Sequence, residues 1–354
     1  MKIGIVGLPN VGKSTLFRAL TRKAVPAENY PFCTIDPNIG VVPVPDARLH
    51  ELARMEHSKE IIPTVVEFVD IAGLVKNAHK GEGLGNQFLS HIREVDAICH
   101  VVRFFENDDI IHVEGSVDPV RDVETITTEL AMADLQLLEK VVEKVAKEAR
   151  AGIKEALVKH AGLQKIVALV REGQPAREAA LTDDERAEVK QYALLTMKPM
   201  LVVVNVDDAH AREPNLPDAL RALSPLVLSV KTEAELSDLP REEAQEYLHE
   251  LGVEQSGLDR LITASYMLLN LLTFFTAGEK ETRAWTITHG ALAPQAAGVI
   301  HTDFEKGFIR AEVVSYEDML AAGSWNAAKE AGRLHIEGKE YVMHDGDVVH
   351  FRFA

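Results

Sequence analysis

Eight consecutive residues, Gly7-Leu8-Pro9-Asn10-Val11-Gly12-Lys13-Ser14, carry the densest chemical signal in the chain. They follow the short apolar run Ile3 to Val6 and precede Thr15 to Leu20, which reads as helix. This is G-x-x-x-x-G-K-[ST] in the strand–loop–helix context that it requires. Gly7 and Gly12 let the backbone curl without Cβ clashes, so the amides of Asn10, Val11, Gly12, Lys13, Ser14 and Thr15 can converge on one anion. The following helix adds the positive end of its dipole. The Lys13 ammonium is placed to reach β- and γ-phosphates and to steady charge during phosphoryl transfer, and the Ser14 hydroxyl to ligate Mg²⁺.

Three further groups are ordered along the chain as a nucleotide switch needs them. Thr34, in the proline-flanked loop Ala27 to Asn38, is the candidate hydroxyl that joins Mg²⁺ when a γ-phosphate is present. Asp70-Ile71-Ala72-Gly73 closes a strand-like run. There Asp70 would hold the Mg²⁺ shell through water, and the Gly73 N–H would sense the γ-phosphate. Residue 74 is Leu, where Ras-like proteins keep a water-orienting Gln, so intrinsic hydrolysis must be slow or borrow another group. Asn205-Val206-Asp207-Asp208 ends another apolar run, an N-x-x-D at the place where guanine readers contact the base. Asn205 would brace the phosphate loop, Asp208 could accept from guanine N1–H and N2–H₂, and Ser229 could also touch the base. His112, by composition alone, is a loop histidine.

These groups need a parallel sheet to hold them. Strand-like runs at Ile39–Val44, Thr64–Val69, Asp96–Phe105, Pro199–Val204 and Leu226–Lys231 supply it, interrupted from about Asp122 to Lys198 by an Ala-, Glu-, Lys- and Leu-rich stretch. In that stretch Ile126, Leu130, Leu137, Val141 and Val145 form one helical stripe, and Leu163, Ile166, Val167 and Val170 a second. Thr182-Asp183-Asp184-Glu185 reads as a capping box. Leu258 to Phe275 reads as a Leu-rich helix. Beyond Gly278, short β-like runs at Arg283–Ile287, Gly307–Val314, Lys339–Met343 and Asp347–Phe353 surround a helical patch at Tyr316–Ala322.

The chain has 354 residues, 46% hydrophobic and 26% charged, which fits two or three globular domains. A net charge of −17 argues against coating nucleic acid through overall field, so an RNA partner would have to meet a local basic patch. Cys33 and Cys99, the two cysteines, write no disulfide framework, and a reducing, cytoplasmic setting fits. No secretory leader and no membrane span are expected.

With Tyr30-Pro31-Phe32-Cys33-Thr34, Asp70-Ile71-Ala72-Gly73-Leu74-Val75 and His301-Thr302-Asp303-Phe304-Glu305-Lys306-Gly307-Phe308-Ile309-Arg310-Ala311 beside the phosphate loop, the whole chain resembles the Obg-like ATPase family, the YchF proteins. The resemblance implies an α/β fold: a P-loop NTPase domain of Ras-like type (1–125 and 198–277), an inserted helical hairpin (126–197) and a C-terminal β-grasp (TGS) domain (278–354). It implies slow hydrolysis of ATP in preference to GTP with Mg²⁺, ribosome binding through the large subunit and rRNA, and a monomeric state. It makes His112 the catalytic candidate in place of the missing Gln, and Asn10 the residue that accompanies K⁺ in related switch proteins. Asp208 departs from the family's usual Glu. A shorter carboxylate could restore guanine contact, which keeps a GTP-preferring switch as the alternative. Val206 and its neighbours could recognise adenine through backbone groups whatever residue 208 is. A small-molecule kinase has no use for the D-x-x-G and N-x-x-D elements; a scaffold with structural nucleotide is the reading that Leu74 favours.

Overall fold

The computed structural model describes residues 1–24, 38–71, 84–107, 115–208, 214–250, 252–253 and 255–354. Contacts divide the chain into two compact units, Met1–Val41 with Glu67–Leu258 and Val42–Val66 with Asp259–Ala354; the division passes through two strands. The strands are β1 (Lys2–Val6), β2 (Ile39–Pro43), β3 (Glu60–Ile62), β4 (Val65–Asp70), β5 (Ala97–Phe104), β6 (Met200–Val206), β7 (Leu226–Leu228), β8 (Leu271–Ala277), β9 (Glu281–Thr288), β10 (Phe308–Ser315), β11 (His335–Glu337) and β12 (Asp347–Phe353).

One sheet has the order β2-β4-β1-β5-β6-β7, with β1 parallel to β4 and β5, and β6 parallel to β5 and β7. In β5 every residue from Ala97 to Arg103 is buried, as expected of a strand covered on both faces. The order reverses at β1: β4 lies on one side and β5 on the other. In open α/β sheets ligands sit at such a switch point, beyond the carboxyl ends of the strands.

The helices of the chain up to residue 268 are α1 (Lys13–Arg22), α2 (Ala47–Met55), α3 (Leu84–Glu94), α4 (Pro119–Arg150), α5 (Lys154–Arg171), α6 (Asp183–Val189), α7 (Asp218–Arg221), α8 (Val230–Asp238), α9 (Arg241–Glu250) and α10 (Gly257–Leu268). The helical α4 and α5 pair as a hairpin with a core of its own around Leu138, Val145, Leu163, Ile166 and Val170. At 1.5 Å per residue, α4 is roughly 48 Å long. It starts at Pro119 behind the N-cap Asp118, so residue 126 lies inside the helix and does not begin the insert. Thr182 and Glu185 form the expected capping box at α6.

In the second unit, β11-β10-β12-β8-β9-β3 make a mixed sheet. Ala293, Ala296 and Ala297 pack on one part of it, while Leu49 and Leu52 of α2 join Phe275 and Ala277 on another. Four expectations need correction. The run Leu258 to Phe275 is not one helix: α10 stops at Leu268, Asn270 adopts a left-handed φ of 54°, and β8 follows. Because β8 pairs with β9 from Leu271↔Thr288 to Ala277↔Thr282, residues 271–277 belong with the C-terminal sheet, not with the nucleotide-binding portion as a boundary at 277/278 would have it. Lys339 to Met343 forms no strand; a single bridge, Leu292↔Val342, ties it down. Leu226 to Lys231 is also shorter than expected. The strand ends at Leu228 because Ser229 caps α8, its hydroxyl accepting from the Thr232 N–H at 3.2 Å.

Candidate functional site

Where β1 ends, two positions of the loop have no room for a side chain. A Cβ on Gly7 would stand 2.4 Å from the Val101 carbonyl oxygen, and one on Gly12 would stand 2.5 Å from Asn205 Nδ2. Gly12 also holds φ at 103°, a left-handed value that favours glycine. Asn10 adopts a left-handed φ of 64°, which Asn tolerates better than most residues. The loop then runs into α1, whose first turn holds no acidic residue to compete with an anion.

Lys13 is 8% exposed, and its ammonium donates to the Leu8 carbonyl at 2.7 Å. Burial pulls its pKa down to about 8, while the Asp70 carboxylate works against that shift. Asp70 responds in the opposite sense. Burial raises its pKa, and the Lys13 charge and a hydrogen bond with the Ser14 hydroxyl pull it back. The structure thus brings together Lys13, Ser14 and Asp70, an ammonium beside two oxygen ligands. Such a donor set suits Mg²⁺, a hard cation that keeps few protein ligands and takes the rest of its shell from water and phosphate oxygens. Among the described residues there is no cluster of three or more His, Cys, Asp or Glu able to hold a metal by itself.

Asn205, at the end of β6, clamps two segments. Its Nδ2 donates to the Val11 carbonyl at 3.0 Å, and its Oδ1 accepts from the Val230 N–H at 3.0 Å. One amide therefore fixes the phosphate loop against the start of α8. From the loop a cavity of about 760 Å³ extends past Asn10 and Thr15 to Asn205, Asp208, Ser229 and Lys231. This is the size of a small-molecule site. Val206 lines it as well. At its far end the Asp208 carboxylate accepts from Ser229 Oγ at 2.6 Å and from the Thr232 hydroxyl, and it lies 3.7 Å from Lys231 Nζ. These partners, Ser229 foremost, hold the Asp208 carboxyl below the usual carboxylate range.

Asn10, Val11, Gly12, Lys13, Ser14, Thr15, Asp70, Asn205, Val206, Asp208 and Ser229 therefore belong to one loop, one cavity and the strand ends that border them. Thr34, Gly73 and His112 lie outside the described residues. Thr232 and Lys231 are absent from the sequence-based selection because residues 226–231 read as strand. Taken instead as an N-cap, Ser229 would have pointed to them through its N-cap spacing to Thr232. Arg103 was also missed. It is 1% exposed, and its guanidinium donates to the carbonyls of Phe105 at 3.0 Å and Asn107 at 3.2 Å, both on the cavity wall.

Two family models match the chain. One, described as "50S ribosome-binding GTPase", covers residues 2–144. The other, YchF-GTPase_C, described as "Protein of unknown function", covers residues 271–354. A Bacillus subtilis protein named "Ribosome-binding ATPase YchF" is 52% identical over 99% of this chain and 98% of its own length. "Obg-like ATPase 1" of Pongo abelii is 46% identical over 100% of this chain and 92% of its own. The solved structure of the Schizosaccharomyces pombe YchF GTPase superposes with a TM-score of 0.87 at 40% identity, covering 99% of this chain and 97% of that one. With a phosphate loop clamped by a strand-end Asn at one end of the chain and the YchF C-terminal module at the other, the chain belongs to the YchF / Obg-like ATPase family.

Proposed function

We propose that the chain is a nucleoside triphosphatase that binds ATP at this cavity, hydrolyses it slowly with Mg²⁺, and uses the cycle to change its docking on the ribosome. The single observation that carries the reading is the Asn205 clamp. It joins the loop that would grip the triphosphate to the helix that borders the base, so one ligand can be held at both ends. The names carried by the Bacillus subtilis and Pongo abelii relatives, an ATPase in each and ribosome binding in the first, agree with it.

In this reading the amides from Asn10 to Thr15 bind the phosphates, and the Lys13 ammonium leaves the Leu8 carbonyl for the β- and γ-phosphate oxygens. Ser14 and Thr34 would ligate Mg²⁺, and Asp70 would hold it through water; the ion, when bound, neutralises charge on the transferring phosphoryl group. Gly73 would report whether the γ-phosphate is present. His112 would orient the attacking water where Leu74 cannot, and Asn10 would help hold K⁺. Asn205, Val206, Asp208 and Ser229 would border the base. The phosphate-loop sheet, the α4–α5 hairpin and the C-terminal sheet that begins with β8 would divide the work between nucleotide and ribosome, with contacts to the large subunit and rRNA through the hairpin and the C-terminal module. The protein would act as a cytoplasmic monomer. No helix among the described residues is long and apolar enough to cross a membrane.

Co-sedimentation with ribosomes in the presence of non-hydrolysable ATP tests this. Lys13→Ala or Ser14→Ala is expected to abolish the nucleotide-dependent part of the association; unchanged association removes the switch. His112→Ala is expected to collapse K⁺-stimulated turnover, on the order of 10²-fold or more, and an unaffected rate removes His112 from catalysis. A GTP-preferring switch is the second reading, and the residue type of Asp208 favours it.

A further inference from the structure

Phe105, Glu106 and Asn107 form one wall of the cavity. They belong to no helix or strand, and Glu106 and Asn107 are exposed. No ladder of backbone bonds sets their course, so side chains must.

The side chain that does so comes from β5. Arg103 Nε donates to the Phe105 carbonyl at 3.0 Å, and its Nη2 donates to the Asn107 carbonyl at 3.2 Å. The guanidinium carbon lies 4.5 Å from the centroid of the Phe105 ring. One planar fork thus fixes two carbonyls through charge-assisted bonds, with a ring face against it. Arg103 is buried, which shields those bonds from competing water.

Arg103 also sits directly beside the Asn205 clamp, its partner in the register of β5 and β6. Val102, Val204 and Val206 pack with Val123 of α4 on one face of the sheet. By strand alternation Arg103 and Asn205 stand on the other. Two neighbouring strand ends therefore each carry a polar side chain that grips the backbone beyond the sheet. Asn205 holds Val11 and Val230, and Arg103 holds Phe105 and Asn107. Because Phe104 pairs with Val206, the segment that follows leaves the sheet beside Asp207 and Asp208, at the end of the cavity far from the phosphates.

We propose that Arg103 is a positioning residue for the nucleotide: it holds residues 105–107 as a preformed wall against the nucleoside, as Asn205 holds the phosphate loop. The proposal rests on the nucleotide-binding reading above and adds a residue to it. A wall set before the ligand arrives spares the ordering of that segment on binding, and ordering even one residue weakens affinity by about tenfold. The nucleoside does not react, so its contacts are equal in ground and transition states. Loosening the wall then raises KM and leaves saturated turnover alone.

Steady-state ATP hydrolysis by the full-length protein with Mg²⁺ tests this. Arg103→Met fills similar space without donors and is expected to raise KM for ATP about tenfold, with saturated turnover within about threefold of wild type. Arg103→Lys keeps a charge that can serve one carbonyl and is expected to raise KM about threefold. A merely structural residue would lower the amount of active protein, cutting turnover and leaving KM in place. An unchanged KM in Arg103→Met overturns the proposal, as does a loss of saturated turnover beyond about threefold or a Lys variant no better than the Met variant. If Arg103→Met does not fold, the KM of Arg103→Lys decides. Loss of a cooperative urea transition in both variants makes Arg103 a core residue only and overturns the proposal too. A wild type that hydrolyses no nucleoside triphosphate defeats the functional reading itself, a result distinct from these.

Discussion

Lys13 shows how a ligand-gripping residue burdens the protein that holds it. Its folded pKa of about 8 lies below the ordinary lysine value of 10.5, so the unfolded chain binds more protons between those two values. Stability therefore rises with pH across that window. Below pH 8 both states are charged and the burial cost is fully present. Lys13→Met removes that cost and should raise nucleotide-free stability at pH 7 by on the order of 1–3 kcal/mol while abolishing triphosphate binding. Urea denaturation beside nucleotide titration checks both halves; a destabilised variant would refute the cost. His100, in the middle of β5, tells a related story. It is fully buried, neither ring nitrogen has a hydrogen-bond partner among the described residues, and burial, helped by the Lys13 charge, pushes its pKa to about 3. Its folded value lies below the unfolded 6.5, so stability is full above pH 6.5 and is lost as pH falls toward 3, by at most about 1.4 kcal/mol per pH unit. His100→Leu should flatten that slope in denaturation curves between pH 4 and pH 6.5. Neither burden was legible in the sequence. The phosphate loop and Asn205 were, because their chemistry depends on local spacing, whereas the burial of His100 depends on both flanking strands, through Val6 and Val202.

Elements were legible where one period governed them. The stripes marked α4 and α5 as helices. Val145, Leu163, Ile166 and Val170 of those stripes are buried in the core the two helices share, with Leu137, Val141 and Val167 packed against it. Leu138, outside the stripe, is fully buried there too, and the pairing of the helices followed from the family resemblance. The failures came where an apolar run changed period midway. Leu258 to Phe275 is rich in Leu and other apolar residues along its length, but its last residues, from Leu271 on, belong to β8, and the break at Asn270 needs a left-handed residue that hydrophobicity does not reveal. One tether of the hairpin was also invisible. Asp134 of α4 is 0% exposed and accepts from the N–H groups of Leu195 and Thr196, each at 2.8 Å, and from the Thr196 hydroxyl at 2.6 Å. Burial raises its pKa and these bonds oppose the rise. Asp134→Ala would leave two buried amides unsatisfied beside a cavity, at a cost of about 3 kcal/mol. Limited proteolysis between residues 190 and 198 should accelerate accordingly; unchanged cleavage and an unchanged urea midpoint would remove the tether.

For the whole molecule, the informative feature is that the second unit is assembled from two separate stretches of sequence. Its C-terminal module alone was readable from turns and short strands, but the share contributed by residues 42–66 was not, since pairing over such a distance leaves no local signal. Glu60, Ile61 and Ile62 pair in parallel with Glu281, Thr282 and Arg283, Leu49 and Leu52 are buried with Phe275, and Arg48 binds Asp345 at 2.6 Å. A fragment of residues 278–354 would lack β8, β3 and α2, exposing Val348 and Met319, which are fully buried in the intact chain. Such a fragment should show no cooperative thermal transition and a poorly dispersed NMR spectrum, and a well-folded fragment would contradict this account of the unit.

The same two-stretch construction constrains how the protein is born. Residues 42–66 leave the translating ribosome almost two hundred residues ahead of Asp259, where their partners begin. At about 5–20 residues per second, the nascent chain waits roughly 10–40 s with Leu49 and Leu52 still lacking the neighbours that will bury them. Slowing elongation lengthens that exposure, so conditions that stall synthesis should increase aggregation of this protein before they affect its finished copies.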